Sequence, residues 1–212
     1  MSRASRVYIP GHVFHITQRC HKKEFLLKFK QDRNRYRHWL YKASQRYDFS
    51  ILNYIITSNH IHLLVKENSR FSVQKAMQYL SGCFGREFNR RKKRQGAYWE
   101  DNYHLSIVET EEYLINCFVY IDLNMVRANA VKHPIEWLHS GYHDLYHNRE
   151  RYRLIKTDAL LQLLGLSRFE LFKDMHSELI NEALSKNKLE RDPMWTEDKI
   201  IGSEEFIMAF KF

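Results

Sequence analysis

"SILNYIITSNHIHLLVKE", Ser50 to Glu67, is the stretch that decides how this chain folds. Two β-rich runs, Ser50 to Thr57 and His60 to Lys66, flank a link of two polar residues, Ser58 and Asn59. Branched and aromatic side chains suit a pleated surface, and so short a link turns the second run back on the first, so the stretch reads as a β-hairpin. Side chains at i and i+2 leave a strand on one face, so His60 and His62 emerge together, roughly 7 Å apart along the chain. That face could hold a metal ion. With 12 histidines in 212 residues, chance alone supplies about 0.7 such His-x-His pairs, so their meaning rests on what lies beside them.

Around the hairpin, strands and helices alternate. His12 to Gln18 reads as a strand. Lys30 to Tyr47 carries Tyr36, Trp39, Leu40 and Ala43 at helical spacing, with Asp48 closing the segment. Ser72 to Arg91 is a second helix whose apolar face is Val73, Ala76, Met77, Leu80 and Phe84. Tyr103 to Glu109 is a further strand. Thr110 is placed to cap a third helix from Glu111 to about Arg127, with Glu111 and Glu112 in the first turn, where the helix dipole favours acids. The fold class is therefore α+β, an antiparallel sheet with helices packed on it. Past about Tyr146 the pattern turns helical. Thr157 to Leu164 ends at Gly165, and Ser167 with Glu170 has the form of a capping box for a helix to about Leu184. Residues 1–148 read as the functional domain and 149–212 as a helical C-terminal appendage.

Lys and Arg total 34 against 25 acidic residues, a net charge of +9. A polyanion is the natural partner, with nucleic acid ahead of membrane. At 44% hydrophobic and 14% aromatic the chain is globular rather than disordered. Cys20, Cys83 and Cys117 are widely spaced and odd in number, which supports neither a disulfide framework nor a Cys-x-x-Cys zinc site. No apolar run approaches the ~20 residues of a membrane span, and the basic start lacks the apolar stretch of a signal peptide. A cytoplasmic protein without membrane partner or small-molecule cofactor is expected.

The third helix carries the chemistry. Leu114, Phe118, Ile121 and Met125 form a core-facing stripe, and Tyr113, Asn116, Tyr120, Asn124 and Arg127 form a second stripe beside it. Tyr120 and Asn124, four residues apart, can meet one external object. Such a set suits phosphodiester cleavage, where a nucleophile is held in line and a divalent cation drains charge from the non-bridging oxygens. A tyrosine with pKa near 10 is only ~0.1% ionised at neutral pH, so its attack needs a nearby metal or base. Two imidazoles and an amide oxygen give a mixed site suited to Mg²⁺ or Mn²⁺, softened toward Mn²⁺ by the imidazoles.

"NHIHLL" followed by "YIDLNMVRANAV" resembles the HUH single-tyrosine transposases, and among them the REP-associated tyrosine transposases. The opening "R.YIPGHVFHITQR", the stretch "GAYWEDNYH" and the tail "IIGSEEF" extend the likeness over most of the chain. The resemblance implies a ferredoxin-like (RRM-like) fold and cleavage of single-stranded DNA near imperfect hairpins through a covalent 5′-phosphotyrosine. It casts His60 and His62 as metal ligands, Tyr120 as nucleophile and Asn124 as third ligand. It leaves both monomer and homodimer open. The chain departs from the family in reading Asn124-Met125 for the usual Asn-Pro, and Leu138-His139-Ser140 for a Trp-Ser-Ser stretch. Met125 should extend the helix past the point where a proline would constrain it.

"GREFNRRKKRQGAYW" packs Arg86, Arg90, Arg91, Lys92, Lys93 and Arg94 into nine positions ahead of Tyr98 and Trp99. Such a run is usually a solvated helix end; beside Trp99 it also resembles a single-strand platform, and DNA contact is the favoured reading. Arg3, Arg6 and Arg19, with Lys22 and Lys23, are weaker candidates for the same role. Arg127 suits either a phosphate or a helix C-terminal cap. His139, His143 and His147 would share a helical face and form a rival metal site, against which Gly141 and the lack of a carboxylate partner on that face argue. A pair of His-x-Ser/Thr motifs, as in certain phosphoesterases, fails because His15-Ile16-Thr17 has no proper second copy. The alternative function is a non-catalytic single-stranded nucleic-acid-binding module on the same topology.

Overall fold

The computed structural model describes residues 8–147 and 151–210. Strands β1 (Val13–Arg19), β2 (Phe49–Ile56), β3 (His60–Glu67) and β4 (His104–Val108) are interleaved with α1 (Lys30–Arg46), α2 (Ser72–Lys92) and α3 (Glu112–Asp122). There follow α4 (Asn124–Arg127), α5 (Gly141–Tyr146), α6 (Thr157–Leu163), α7 (Phe169–Ser185), α8 (Met194–Glu197), β5 (Ile200–Ile201) and α9 (Glu204–Ala209). The sheet runs β2-β3-β1-β4-β5. Its first four strands pair antiparallel in the ferredoxin-like order. The fifth lies parallel to β4, so the sheet is mixed rather than wholly antiparallel.

Register explains the two faces. Thr17 stands opposite His62 and Arg19 opposite His60, so strand alternation sends His15, Thr17, His60 and His62 to one side. Ile16, Leu63 and Val65 go to the other, where Leu40 and Ala43 of α1 and Val73, Ala76, Met77 and Leu80 of α2 cover them. The histidine-bearing face is covered by α3 and the C-terminal helices. Phe118 of α3 meets Phe172 of α7 edge-on at 5.2 Å, both fully buried. Burying a ring of that size contributes about 1.5–3 kcal/mol.

A polar knot pins α3 to the sheet. Asn53, beside a bulge in β2, donates to the Phe118 carbonyl at 3.3 Å and to Asp122 Oδ1 at 3.0 Å. Asp122 Oδ2 lies 3.0 Å from His176 Nε2 of α7, with both side chains withdrawn from solvent. The next residues after Asp122 therefore leave the sheet from a fixed point.

Three local expectations differ from what is found. The third helix breaks at Leu123 (ψ −1°) although no proline follows Asn124. The Tyr120 carbonyl, which an unbroken helix would offer to the Asn124 N–H, accepts Arg127 Nη2 at 2.5 Å instead. Thr110 and Ser167 are not caps: α3 starts behind Glu111 (φ 60°) and α7 behind Arg168, neither with a side-chain cap bond. Tertiary packing, of α3 against the sheet and of α7 against α3 and α6, overrides the local capping preference.

Both sheet edges are partly covered. Along β2, Lys156 N–H donates to the Ile51 carbonyl and Ile56 N–H to the His139 carbonyl, each at 2.9 Å. Along β4, Ile107 N–H donates to Lys199 and Glu109 N–H to Ile201, each at 2.8 Å. The tail is tied there by the Glu109 carboxylate, which accepts from Ser203 N–H at 2.5 Å. Gly202 is required at this corner because a Cβ would collide with Glu109 and Phe206. Among the described residues no helix is long and apolar enough to cross a membrane.

Candidate active site

The end of β3 presents His60 and His62 with ring centroids 5.1 Å apart. Each ring is oriented through Nδ1. His60 Nδ1 sits 2.7 Å from Asn59 Oδ1 and 3.0 Å from Thr57 Oγ1, both from the turn that leads into the strand. His62 Nδ1 sits 2.9 Å from Nε2 of His15, a fully buried residue of β1. On the other side of the ring, Asn124 Nδ2 approaches His62 Nε2 at 3.2 Å. An amide nitrogen can only donate, so Nε2 of His62 is the unprotonated acceptor, and its Nδ1–H donates to His15. Rotating the amide by a half-turn exchanges Oδ1 for Nδ2 at the same spot.

Burial decides the charge of these rings. It lowers His60 to about 4, helped by Arg19 and opposed by a hydrogen bond with Asn124. It holds His62 well below the ordinary imidazole range and His15 at about 3. All three are neutral at pH 7, and neutral imidazole is the form that binds metal. His15 and His62 bind protons more weakly in the folded chain than in the unfolded one. Their contribution to stability is therefore complete above about pH 6.5 and is lost as pH falls below it, by about 1.4 kcal/mol per unit for each ring. With His60 depressed in the same way, lowering the EDTA-treated protein from pH 7 to 5.5 should cost about 3–4 kcal/mol in a urea titration. An unchanged midpoint would mean that these rings take up protons as readily in the folded chain as in the unfolded one.

Tyr120 closes the site from the last turn of α3. Its ring centroid lies 6.1 Å from His62 and 6.2 Å from His15. One face stacks on Trp195 of α8 at 5.7 Å, and the Arg127 guanidinium carbon lies 4.1 Å from the ring centroid. Burial raises its phenol above the usual range, with Arg127 opposing, so the hydroxyl is protonated at neutral pH. Around it opens a cleft of about 560 Å³, lined by Thr17, Arg19, His60, His62, Tyr120, Asn124 and Arg127 and walled by Leu189, Arg191 and Thr196. Among the described residues no acidic side chain lines it, and three arginines do. Such a wall favours an anion.

The structure thus brings together His60, His62, Asn124, Tyr120, Arg127 and Arg19. Arg90 to Arg94 and Trp99 stand elsewhere, around the C-terminal end of α2. Arg91 is ion-paired with the buried Asp32, and Lys92 Nζ lies 3.9 Å from the same carboxylate. Arg94 donates to the Ala97 carbonyl at 2.9 Å and lies 3.7 Å from Glu24, while Arg90 and Lys93 are exposed. The Trp99 indole donates to the Ser81 carbonyl, and its ring packs against Tyr36, Phe84 and Tyr98. Arg3 and Arg6 lie outside the described residues. His139 precedes α5 and is buried, so His139, His143 and His147 do not share one helix.

Sequence reasoning missed His15, Arg191 and Trp195 as parts of the site. His15 becomes visible only with the β1–β3 register, which places it beside the residue that follows His62 by two. Among the described residues no three His, Cys, Asp or Glu side chains gather as a metal site. His60 Nε2, His62 Nε2 and the Asn124 amide oxygen together make a donor set that could hold Mg²⁺ or Mn²⁺.

Residues 9–124, more than half of the chain, match the family described as transposase IS200 like. Among solved structures, a REP-associated tyrosine transposase bound to a REP hairpin matches at 17% identity with a TM-score of 0.58, covering 72% of this chain and 90% of that one. A candidate transposase from Deinococcus radiodurans matches at 13% identity with a TM-score of 0.38, covering 49% of this chain and 84% of that one. No curated protein matches.

Proposed function

The chain belongs to the IS200-like transposase family, and from that premise we propose that it cuts and rejoins single-stranded DNA near hairpins, with Tyr120 as nucleophile. The observation that carries this reading is the meeting of Tyr120 and Asn124 with His60 and His62 in one cleft lined by arginines. Arg19 and Arg127 would neutralise the phosphate on either side, which raises the local concentration of DNA and positions the scissile group. The Tyr120 oxygen then forms a bond to phosphorus as the bond to the 3′ oxygen breaks. The phenolic proton departs, the released 3′ oxygen gains one, and a 5′-phosphotyrosine remains. That linkage keeps the energy of the cleaved bond, so a second 3′-hydroxyl can reverse the step without ATP.

His60 and His62, neutral through burial, and Asn124 would hold Mg²⁺ or Mn²⁺. The ion would supply charge neutralisation at the non-bridging oxygens. His15 fixes the His62 ring from behind, and outer partners of this kind typically contribute 10–100-fold to metal affinity. A hairpin substrate is supported by the partner of the solved relative, which is a REP hairpin. We assign the chemistry to residues 1–148 and treat 149–212 as a helical appendage whose Arg191 and Trp195 reach the site.

Labelled single-stranded hairpins incubated with protein and Mn²⁺ should yield a protein-sized labelled band on a denaturing gel. EDTA should remove it, and His60→Ala should lower its rate by at least ~10²-fold. Tight, salt-sensitive binding with no band under any metal would favour the non-catalytic binding module instead.

A further inference from the structure

The basic run around Arg90 to Arg94 was read as half of a stacking platform, and its aromatic half, Trp99, is packed away. The exposed rings lie next door. Phe25 and Phe29, on the loop between β1 and α1, are 65% and 60% solvent-exposed. Exposed aromatic surface rimmed by charged groups is of the kind that marks an interaction site.

The loop is built rather than loose. Leu27 plugs into the core, its N–H donates to the Ser58 carbonyl at 2.9 Å, and Arg33 donates to the Leu27 and Lys28 carbonyls at 2.9 and 2.7 Å. Two cations stand over one of the rings: Lys92 Nζ lies 5.2 Å and Lys28 Nζ 6.0 Å from the Phe29 centroid. Asn59 couples the loop to the cleft. Its Nδ2 donates to the Lys23 carbonyl at 3.3 Å, and its Oδ1 accepts from His60 Nδ1 at 2.7 Å. The two rings therefore stand on a segment bonded to the same side chain that orients His60.

We propose that Phe25 and Phe29 form a stacking platform for unpaired bases of the DNA strand as it leaves the cleft, with Lys28 and Lys92 holding its phosphates. The chemistry of the patch selects this occupant. Every base offers a π-face to an exposed ring, and ammonium groups beside the rings match a phosphate backbone. A purely apolar partner would leave those ammonium groups desolvated and unpaired, which is costly. The inference rests on single-stranded DNA being the substrate.

The test compares fluorescence-anisotropy affinities of the full chain and the Phe25→Ala/Phe29→Ala variant. The probes are a blunt hairpin, the same hairpin with a single-stranded extension, and that extension made abasic. Stacking on one ring is typically worth about tenfold or more in affinity. The variant should lose roughly tenfold or more on the extended hairpin and less than twofold on the blunt one. Removing the bases from the extension should weaken the wild type by a similar factor and leave the variant unchanged. Equal affinities of wild type and variant for the extended hairpin would overturn the platform, as would equal losses on blunt and extended probes. A concentration-dependent dimer of the wild type, abolished in the variant while DNA affinity stays, would overturn it in favour of a second copy of this chain. Covalent-adduct formation is read separately. An adduct with no stacking effect removes the platform and keeps the nuclease; a stacking effect with no adduct does the reverse.

Discussion

Tyr120→Phe should abolish the covalent protein–DNA adduct, lowering cleavage by at least ~10³-fold, while hairpin affinity stays within about twofold. The separation is expected because the substitution removes only the oxygen. The ring keeps its stack on Trp195 and its contact with Arg127. Fold stability should therefore move by no more than about 0.5 kcal/mol. Intact-mass spectrometry of the reaction, with anisotropy alongside, reads both quantities. An adduct that survives would place the nucleophile elsewhere. Binding that disappears with cleavage would make Tyr120 a structural residue whose hydroxyl supports the fold.

Asp122→Ala should be the most destabilising single change near the site, by about 3–5 kcal/mol in urea denaturation. Its carboxylate links Asn53 Nδ2 on the sheet to His176 Nε2 on α7, and none of the three groups meets solvent. Removing it takes the partner from the buried His176 Nε2 and leaves Asn53 Nδ2 with the Phe118 carbonyl alone. If the three act as a unit, His176→Ala in the Asp122→Ala background should cost less than about 1 kcal/mol more. Fully additive losses would mean the pair contributes nothing beyond its separate packing. Asp122 is two residues from both Tyr120 and Asn124, so the same change should also slow adduct formation in protein that remains folded.

Much of this was readable from residue order because two periodicities carried it. The period-two alternation of Ser50 to Glu67 placed His60 and His62 on one face, and the helical spacing of Tyr120 and Asn124 placed them one turn apart. Both signals are local. What escaped depends on residues distant in sequence. Whether the arginines of α2 are available to DNA turns on Asp32, nearly sixty positions earlier, which claims Arg91. The break at Leu123 arises because a side chain seven residues on competes for the Tyr120 carbonyl. Trp195 reaches Tyr120 from α8 only after α7 has packed on α3. β5 is too short for any alternation to register, and the β4 edge, not its own pattern, makes it a strand.

The covered sheet edges bear on how the chain is made. Ile51 and Ile55 of β2 meet their outer neighbours only at Ile155 and Ser140, and Ile107 and Val108 of β4 only at Ile200 and Ile201. During synthesis each edge therefore waits for roughly ninety further residues, on the order of 5–20 s at common elongation rates. From the completion of β4 until residues 139–156 are made, the nascent four-stranded sheet carries two bare rows of hydrogen-bonding groups, the form most prone to pair with another chain, and the β4 row stays bare until residues 199–201 follow. Residues 139–156 end this hazard at β2, and the segment that walls the cleft, running on into β5, ends it at β4, so chains stalled before residue 139 should aggregate where finished ones do not.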